Sequence, residues 1–280
     1  MSHFSADVLI LRSVERGEHD RLITVLSAEH GRFYAIVKGA GSIHRREVAA
    51  TEPYTWSNVE FYEKNGVKWV KNATAKESFF GLRYDMDKLF LAAYIADVAF
   101  ELSDEHEPAG EILPLVLNTY YALSRSQGEV ARIKAAFELR AACNEGFSPD
   151  LVACSHCHCT EIAEAYLDVM GGSIVCRACF TKEQGLISLL PPLDEMGERK
   201  LLLPLNATAL AAFRYVEGTE PKRLFAFRFT EDEGLAQFCA AAEAYLLHHL
   251  ERGFASLENY KKLAAMPPVT RKNEDKRENL

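Results

Sequence analysis

The sequence has no apolar run long enough to cross a bilayer. The longest, Leu89 to Phe100, is interrupted by Asp97, whereas a spanning helix needs about 20 apolar residues. The N-terminus also lacks the apolar core of a secretory signal, because Asp7 and Glu15 fall where that core would lie. No G-x-x-x-x-G-K-[ST] phosphate loop is present, and no H-E-x-x-H pair. Gly39-Ala-Gly41 runs on into Ser42-Ile-His-Arg and misses the third glycine of a dinucleotide fingerprint. His19-Asp20 would open a metal phosphohydrolase site, but its other ligands are missing, and the pair reads as a polar loop. Positive charge is in deficit, with 32 basic residues against 40 acidic and a net charge of −8. These absences speak against a membrane protein, an exported protein and a nucleotide hydrolase.

What remains is an ordinary globular composition, 48% apolar and 26% charged, with one concentrated feature. Five of the seven cysteines fall between Cys154 and Cys179, as Cys154-Ser-His-Cys157-His-Cys159 and Cys176-Arg-Ala-Cys179. Two C-x2-C pairs at this separation match a four-cysteine zinc site. Strand-like runs at 165–169 and 173–175 flank Gly171-Gly172 and would fold the second pair back onto the first. Thiolates from Cys154, Cys157, Cys176 and Cys179, each about 2.3 Å from one ion, close a tetrahedron and leave a structural site with no open position. Cys159, His156 and His158 crowd the first pair and are alternative ligands. Cys143 and Cys239 read as small apolar residues on helix faces. Metal spacing among thiols suggests a reducing, cytoplasmic setting.

Taken in order, residues 1–80 hold five short β-branched or aromatic runs: Val8–Leu11, Leu22–Leu26, Phe33–Val37, Asn58–Tyr62 and Val67–Val70. Asn65-Gly66 between the last two is a strong hairpin signal. Five strands suit a small closed barrel of the OB type. Helical spacing follows over 81–150, with Leu89, Ala92, Ala93, Ala96 and Phe100 on one face. The cysteine insert spans 151–190, and after Pro191-Pro192 helices are expected near 194–216 and 231–252, within a second helical part ending at 266. Residues 267–280, polar and highly charged, read as a disordered tail. The chain is thus expected to be an α+β multidomain protein: a five-stranded OB-fold barrel, then a helical domain carrying a four-cysteine zinc hairpin.

Charge is uneven along the chain. Residues 1–80 carry eleven basic and ten acidic side chains, but 81–150 carry six against twelve. A polyanion-binding face is therefore sought in the first region. Arg32, Lys38, Arg45 and Arg46 interleave with Phe33 and Tyr34, and Lys64, Lys68, Trp69 and Lys71 extend the set. Basic residues that track a backbone and rings that stack on bases are how such barrels hold single strands.

Gly17-Glu-His-Asp-Arg-Leu22, His30-Gly-Arg32, Lys38-Gly-Ala40, Glu52-Pro-Tyr54 and Gly171-Gly172 before the second cysteine pair resemble the bacterial recombination-mediator family RecO. The resemblance covers nearly the whole chain. It implies binding of single- and double-stranded DNA and annealing of complementary strands. It also implies partnership with RecR, with RecA recombinase and with single-strand-binding protein, and no catalysis. Two features depart from the family pattern. His158-Cys159 stands where a glycine usually follows the first pair, and Ile43 and Glu47 dilute the basic loop. The acidic, apolar-ended tail of single-strand-binding protein would need an apolar pocket with a basic rim. Arg132, Lys134 and Arg140 are the nearest cations for that rim. The competing readings are a zinc-stabilised adaptor that binds only proteins and a metal-dependent hydrolase, which would need an open metal position.

Overall fold

The computed structural model describes residues 2–39, 46–187 and 201–266. Strands β1 (Ser2–Arg16), β2 (Asp20–Ser27), β3 (Gly31–Val37), β4 (Trp56–Lys64) and β5 (Val67–Glu77) close into a barrel in the order β1-β2-β3-β5-β4. This is the five-stranded OB barrel expected from the sequence. The short helix α1 (Arg46–Ala50) lies between β3 and β4. Asn65 and Gly66 both take positive φ, 55° and 74°, and pair Lys64 with Val67 across a two-residue turn.

The unbroken apolar run Val8-Leu-Ile-Leu11 has a simple cause. Val8 and Ile10 face the barrel interior with Ile23, Val25, Phe33 and Phe61. Leu9 and Leu11 face outward and join the core of the helical part. With both faces covered, the strand loses the polar alternation of a half-exposed one.

Helices α2 (Met86–Glu101), α3 (Ile112–Arg125) and α4 (Val130–Asn144) follow. Asp85 caps α2 by accepting from the backbone N–H groups of Asp87 and Lys88. Next come β6 (Asp150–Cys154), β7 (Ala165–Asp168), β8 (Ser173–Cys176) and helix α5 (Arg177–Ile187). The described residues end with β9 (Leu202–Leu205), α6 (Ala207–Gly218), α7 (Asp232–His249) and α8 (Ala255–Ala264). The cysteine hairpin is wider than its two expected strands. It forms a four-stranded sheet ordered β6-β8-β7-β9. Residues 202–205 are a strand where helix was expected near 194–216; Pro204, which has no N–H to donate, sits there on the edge. Pro191-Pro192, the tail at 267–280 and Arg45 lie outside the described residues.

Barrel and helices meet at a fixed junction. Arg12 and Arg32 lie over the Phe100 ring of α2, 4.1 and 3.9 Å from its centre. Arg12 also pairs with Asp97 at 2.7 Å, and Arg32 Nε donates to the Ser103 carbonyl at 3.0 Å. Gly31, at φ +60°, lets the strand pass so close that a Cβ there would stand 1.9 Å from the Glu107 carbonyl. Gly31→Ala should therefore lower stability by at least about 1 kcal/mol, since alanine meets both strain and backbone. Urea unfolding checks this, and an unchanged midpoint would contradict the tight junction.

Candidate metal centre and nucleic-acid interface

The β7–β8 hairpin sets the metal site. It carries Cys176 on β8 and Cys179 in the first turn of α5, while β6, parallel to β8, delivers Cys154. Gly172, at φ +59°, closes the turn; a Cβ there would lie 2.9 Å from the Tyr245 hydroxyl of α7. Sulfurs of Cys154, Cys157, Cys176 and Cys179 all lie within 4.8 Å of one another. A tetrahedron with arms of about 2.3 Å has edges of about 3.8 Å, and Cys157 and Cys176 are 3.8 Å apart. The donor set suits a soft thiophilic ion. The Cys176 N–H donates to Cys154 Sγ at 3.3 Å. Burial works against ionising Cys154, yet N–H donors from Cys176, Cys157 and His156 bring its pKa down to about 6. Hydrogen bonding to Cys157, helped by desolvation, pushes the Cys159 and Cys179 thiols up to about 12. Packed sulfurs cannot all ionise alone, and a shared cation relieves the conflict. Cys159 stays outside the mutual group of four.

On the barrel the expected cations divide. Lys38 Nζ sits 4.5 Å from the Trp69 ring, and Trp69 stacks on Tyr62 with ring planes 13° apart. The two rings and the cation form a compact platform. Lys68 points the other way, over Phe33 at the barrel mouth. Lys71 pairs with Glu60 at 3.5 Å. Arg32 is taken up in the junction, its side chain only 13% exposed, and Phe33 is barrel core. Neither Arg32 nor Phe33 is presented to a ligand. Arg46 opens α1.

Asp20, Arg21 and Glu52, from the motifs noted in the sequence, brace this face. Asp20 accepts the Gly39 N–H at 3.0 Å. Arg21 bonds Glu52, Thr51 and the Val48 carbonyl. The loop that carries Lys38 is thereby anchored at its start, and α1 is tied to β2. His19 is exposed, and Asp20 serves this turn.

Comparisons with known proteins find relatives over most of the chain. Residues 1–79 match the family model described as recombination protein O N terminal, and 83–193 match its C-terminal counterpart. A "DNA repair protein RecO" of Anaeromyxobacter dehalogenans is 31% identical over 252 residues, covering 89% of this chain and 92% of that protein. The chain belongs to the RecO family. Others of the same name are similar: that of Acetivibrio thermocellus is 25% identical over 94% of this chain and 98% of its own length. That of Heliobacterium modesticaldum is 35% identical over 72% and 77% respectively. Membership supports a role in DNA repair and recombination.

The tail-binding rim expected at Arg132, Lys134 and Arg140 is not assembled as foreseen. Arg140 is turned to the Val216 and Thr219 carbonyls. Lys134 is buried between Glu138 and Glu243, at 2.7 Å from each. Burial alone would lower the Lys134 pKa, and the two carboxylates reverse that and raise it. Arg132 donates to the Phe225 carbonyl and Glu129 but does border a cleft of about 280 Å³. Phe229, Leu235, Glu129 and the exposed Arg228 also line that cleft, and Arg228 pairs with Glu129 at 3.6 Å. Sequence spacing pointed to neither Arg228 nor Phe229, because they lie outside any helix. Lys134→Ala should cost about 3–5 kcal/mol by stranding a buried carboxylate. A Lys134 variant of full stability in chemical unfolding would contradict its internal role.

Proposed function

We propose that this protein is a non-enzymatic recombination mediator. In this reading the barrel, residues 1–80, holds single-stranded DNA on the Lys38–Trp69–Tyr62 face, and Arg45 and Arg46 are further phosphate contacts. One structural zinc on Cys154, Cys157, Cys176 and Cys179 holds the cysteine sheet. The protein anneals complementary strands, also engages duplex, and helps RecA replace single-strand-binding protein, with a RecR partner supplying part of the grip. It works in the bacterial cytoplasm. The observation that carries the DNA reading is the stacked Tyr62–Trp69 pair capped by a cation. Family membership carries the mediator role.

The acidic, apolar-ended tail of single-strand-binding protein fits the cleft beside Arg132, where Phe229 and Leu235 offer apolar surface and Arg228 a cation. Arg228 takes the place first sought at Lys134 and Arg140.

The test has two parts. Trp69→Ala should weaken single-strand binding by about 1–3 kcal/mol while leaving the salt slope unchanged, because a ring stacks on bases and releases no counterion. Lys38→Ala should instead flatten the slope of log affinity against log salt by about 0.7. Recombinase filaments should form faster on coated strands with the protein and its partner than without. Failure in both parts, with the tail peptide still bound, would leave the protein-only adaptor.

A further inference from the structure

Cys159 is the fifth thiol of the cysteine segment and has no place in the zinc reading. Its Sγ lies 3.4 Å from that of Cys157, nearer than the 3.8 Å between Cys157 and Cys176. The backbone builds this approach. His158 takes φ +59°, and its N–H donates to the Cys154 carbonyl, while the Cys154 N–H donates to the Cys159 carbonyl, both at 2.9 Å. The turn brings the sulfurs of residues i and i+2 to the same side. Exposure separates the thiols further. Cys154 and Cys176 are buried, Cys159 and Cys179 are half-buried, and Cys157 is exposed. A small oxidant arriving from solvent meets Cys157 first, and a sulfur outside the four, that of Cys159, lies 3.4 Å from it.

We propose that Cys157 and Cys159 form an oxidation site through which hydrogen peroxide opens the metal centre. This rests on the four-thiolate zinc reading given above. The Cys157 thiolate attacks the peroxide oxygen. An S–O bond forms, the O–O bond breaks, and hydroxide leaves. The Cys159 thiol then attacks the sulfenic sulfur. The S–S bond forms, the S–O bond breaks, and the departing oxygen leaves as water with the Cys159 proton. Two electrons pass from the sulfur pair to the peroxide, and the products are a disulfide, one water and one hydroxide. The metal set loses a single ligand, whereas a disulfide between two of the four would remove two.

The sulfurs must close from 3.4 Å to about 2.05 Å within a small ring, a strained bond that thiols reduce readily. Cys159 thereby also shields Cys157 from further oxidation. A sulfenic acid with no thiol in reach moves on to the sulfinic form, which thiols do not reverse. The departure from glycine at 158–159 acquires a use in this account.

The test uses the full chain. Its zinc content is measured first; hydrogen peroxide is then added, remaining thiols are alkylated, and peptides are mapped by mass spectrometry. Released zinc is followed with a chromophoric chelator. The expected result is a Cys157–Cys159 disulfide that appears in step with zinc release, with a thiol reductant and added zinc restoring the metal. Cys159→Ser should hold zinc at first but lose most of that recovery, with Cys157 found as sulfinic acid. A disulfide joining two of the four, with Cys159 alkylated, overturns the proposal, as does full recovery in Cys159→Ser. Untreated protein without zinc overturns the zinc reading as well, whereas zinc present with the bond elsewhere overturns this proposal alone.

Discussion

Four sulfurs held within 4.8 Å of one another cannot all be thiolates without mutual repulsion unless a cation sits between them. The carboxyl-terminal half of the fold depends on how that conflict is resolved. The four cysteines fix the ends of β6 and β8 and the start of α5, and β7 pairs with β8 and with β9. Residue Leu205 of β9 runs directly into α6, which Asn206 caps by accepting the Ala209 N–H. Arg214 of α6 donates back to the Leu151 carbonyl of β6. Gly172 at the hairpin turn abuts Tyr245 of α7. The sheet thus sits inside the helical core, and Cys154 and Cys176 belong to the same apolar cluster as Phe213 and Phe238. Structural zinc is worth about 10–16 kcal/mol of apparent binding in small peptides, while a whole domain is stable by about 5–15 kcal/mol. An ion held here would decide whether this half folds.

The second constraint is the junction between barrel and helices. Two guanidiniums over one phenylalanine, with a carboxylate and a backbone carbonyl as further partners, fix the barrel against α2. Outward leucines of β1 and β2 continue the same apolar cluster into the helices. The Tyr62–Trp69 pair on the barrel and the cleft beside Arg132 on the helices are thereby carried on one braced frame.

Much of this was legible in the sequence, and the reasons are local. Asn65-Gly66 dictates its own turn, the five strands of the barrel announce themselves by β-branched and aromatic runs, and C-x2-C spacing is set by the geometry of a shared ion. The strands β6 and β9 were not legible. Each is short and owes its pairing to β8 or β7 across the fold, with no alternation of its own to show. The fate of individual cations was not legible either. Arg32 and Lys134 look like surface charges in the sequence, and only packing reveals that one supports a junction and the other neutralises two carboxylates. Arg228 escaped notice because its cleft is made by segments far apart in the chain, α4 and the stretch before α7.

Four thiolates, and no histidine, are proposed here to share one zinc. X-ray absorption at the zinc edge on the purified full-length protein tests it most directly. The account predicts a first shell of sulfur alone at about 2.3 Å. A shell that includes nitrogen at about 2.0–2.1 Å would show that His156 or His158 has displaced a cysteine and would contradict it.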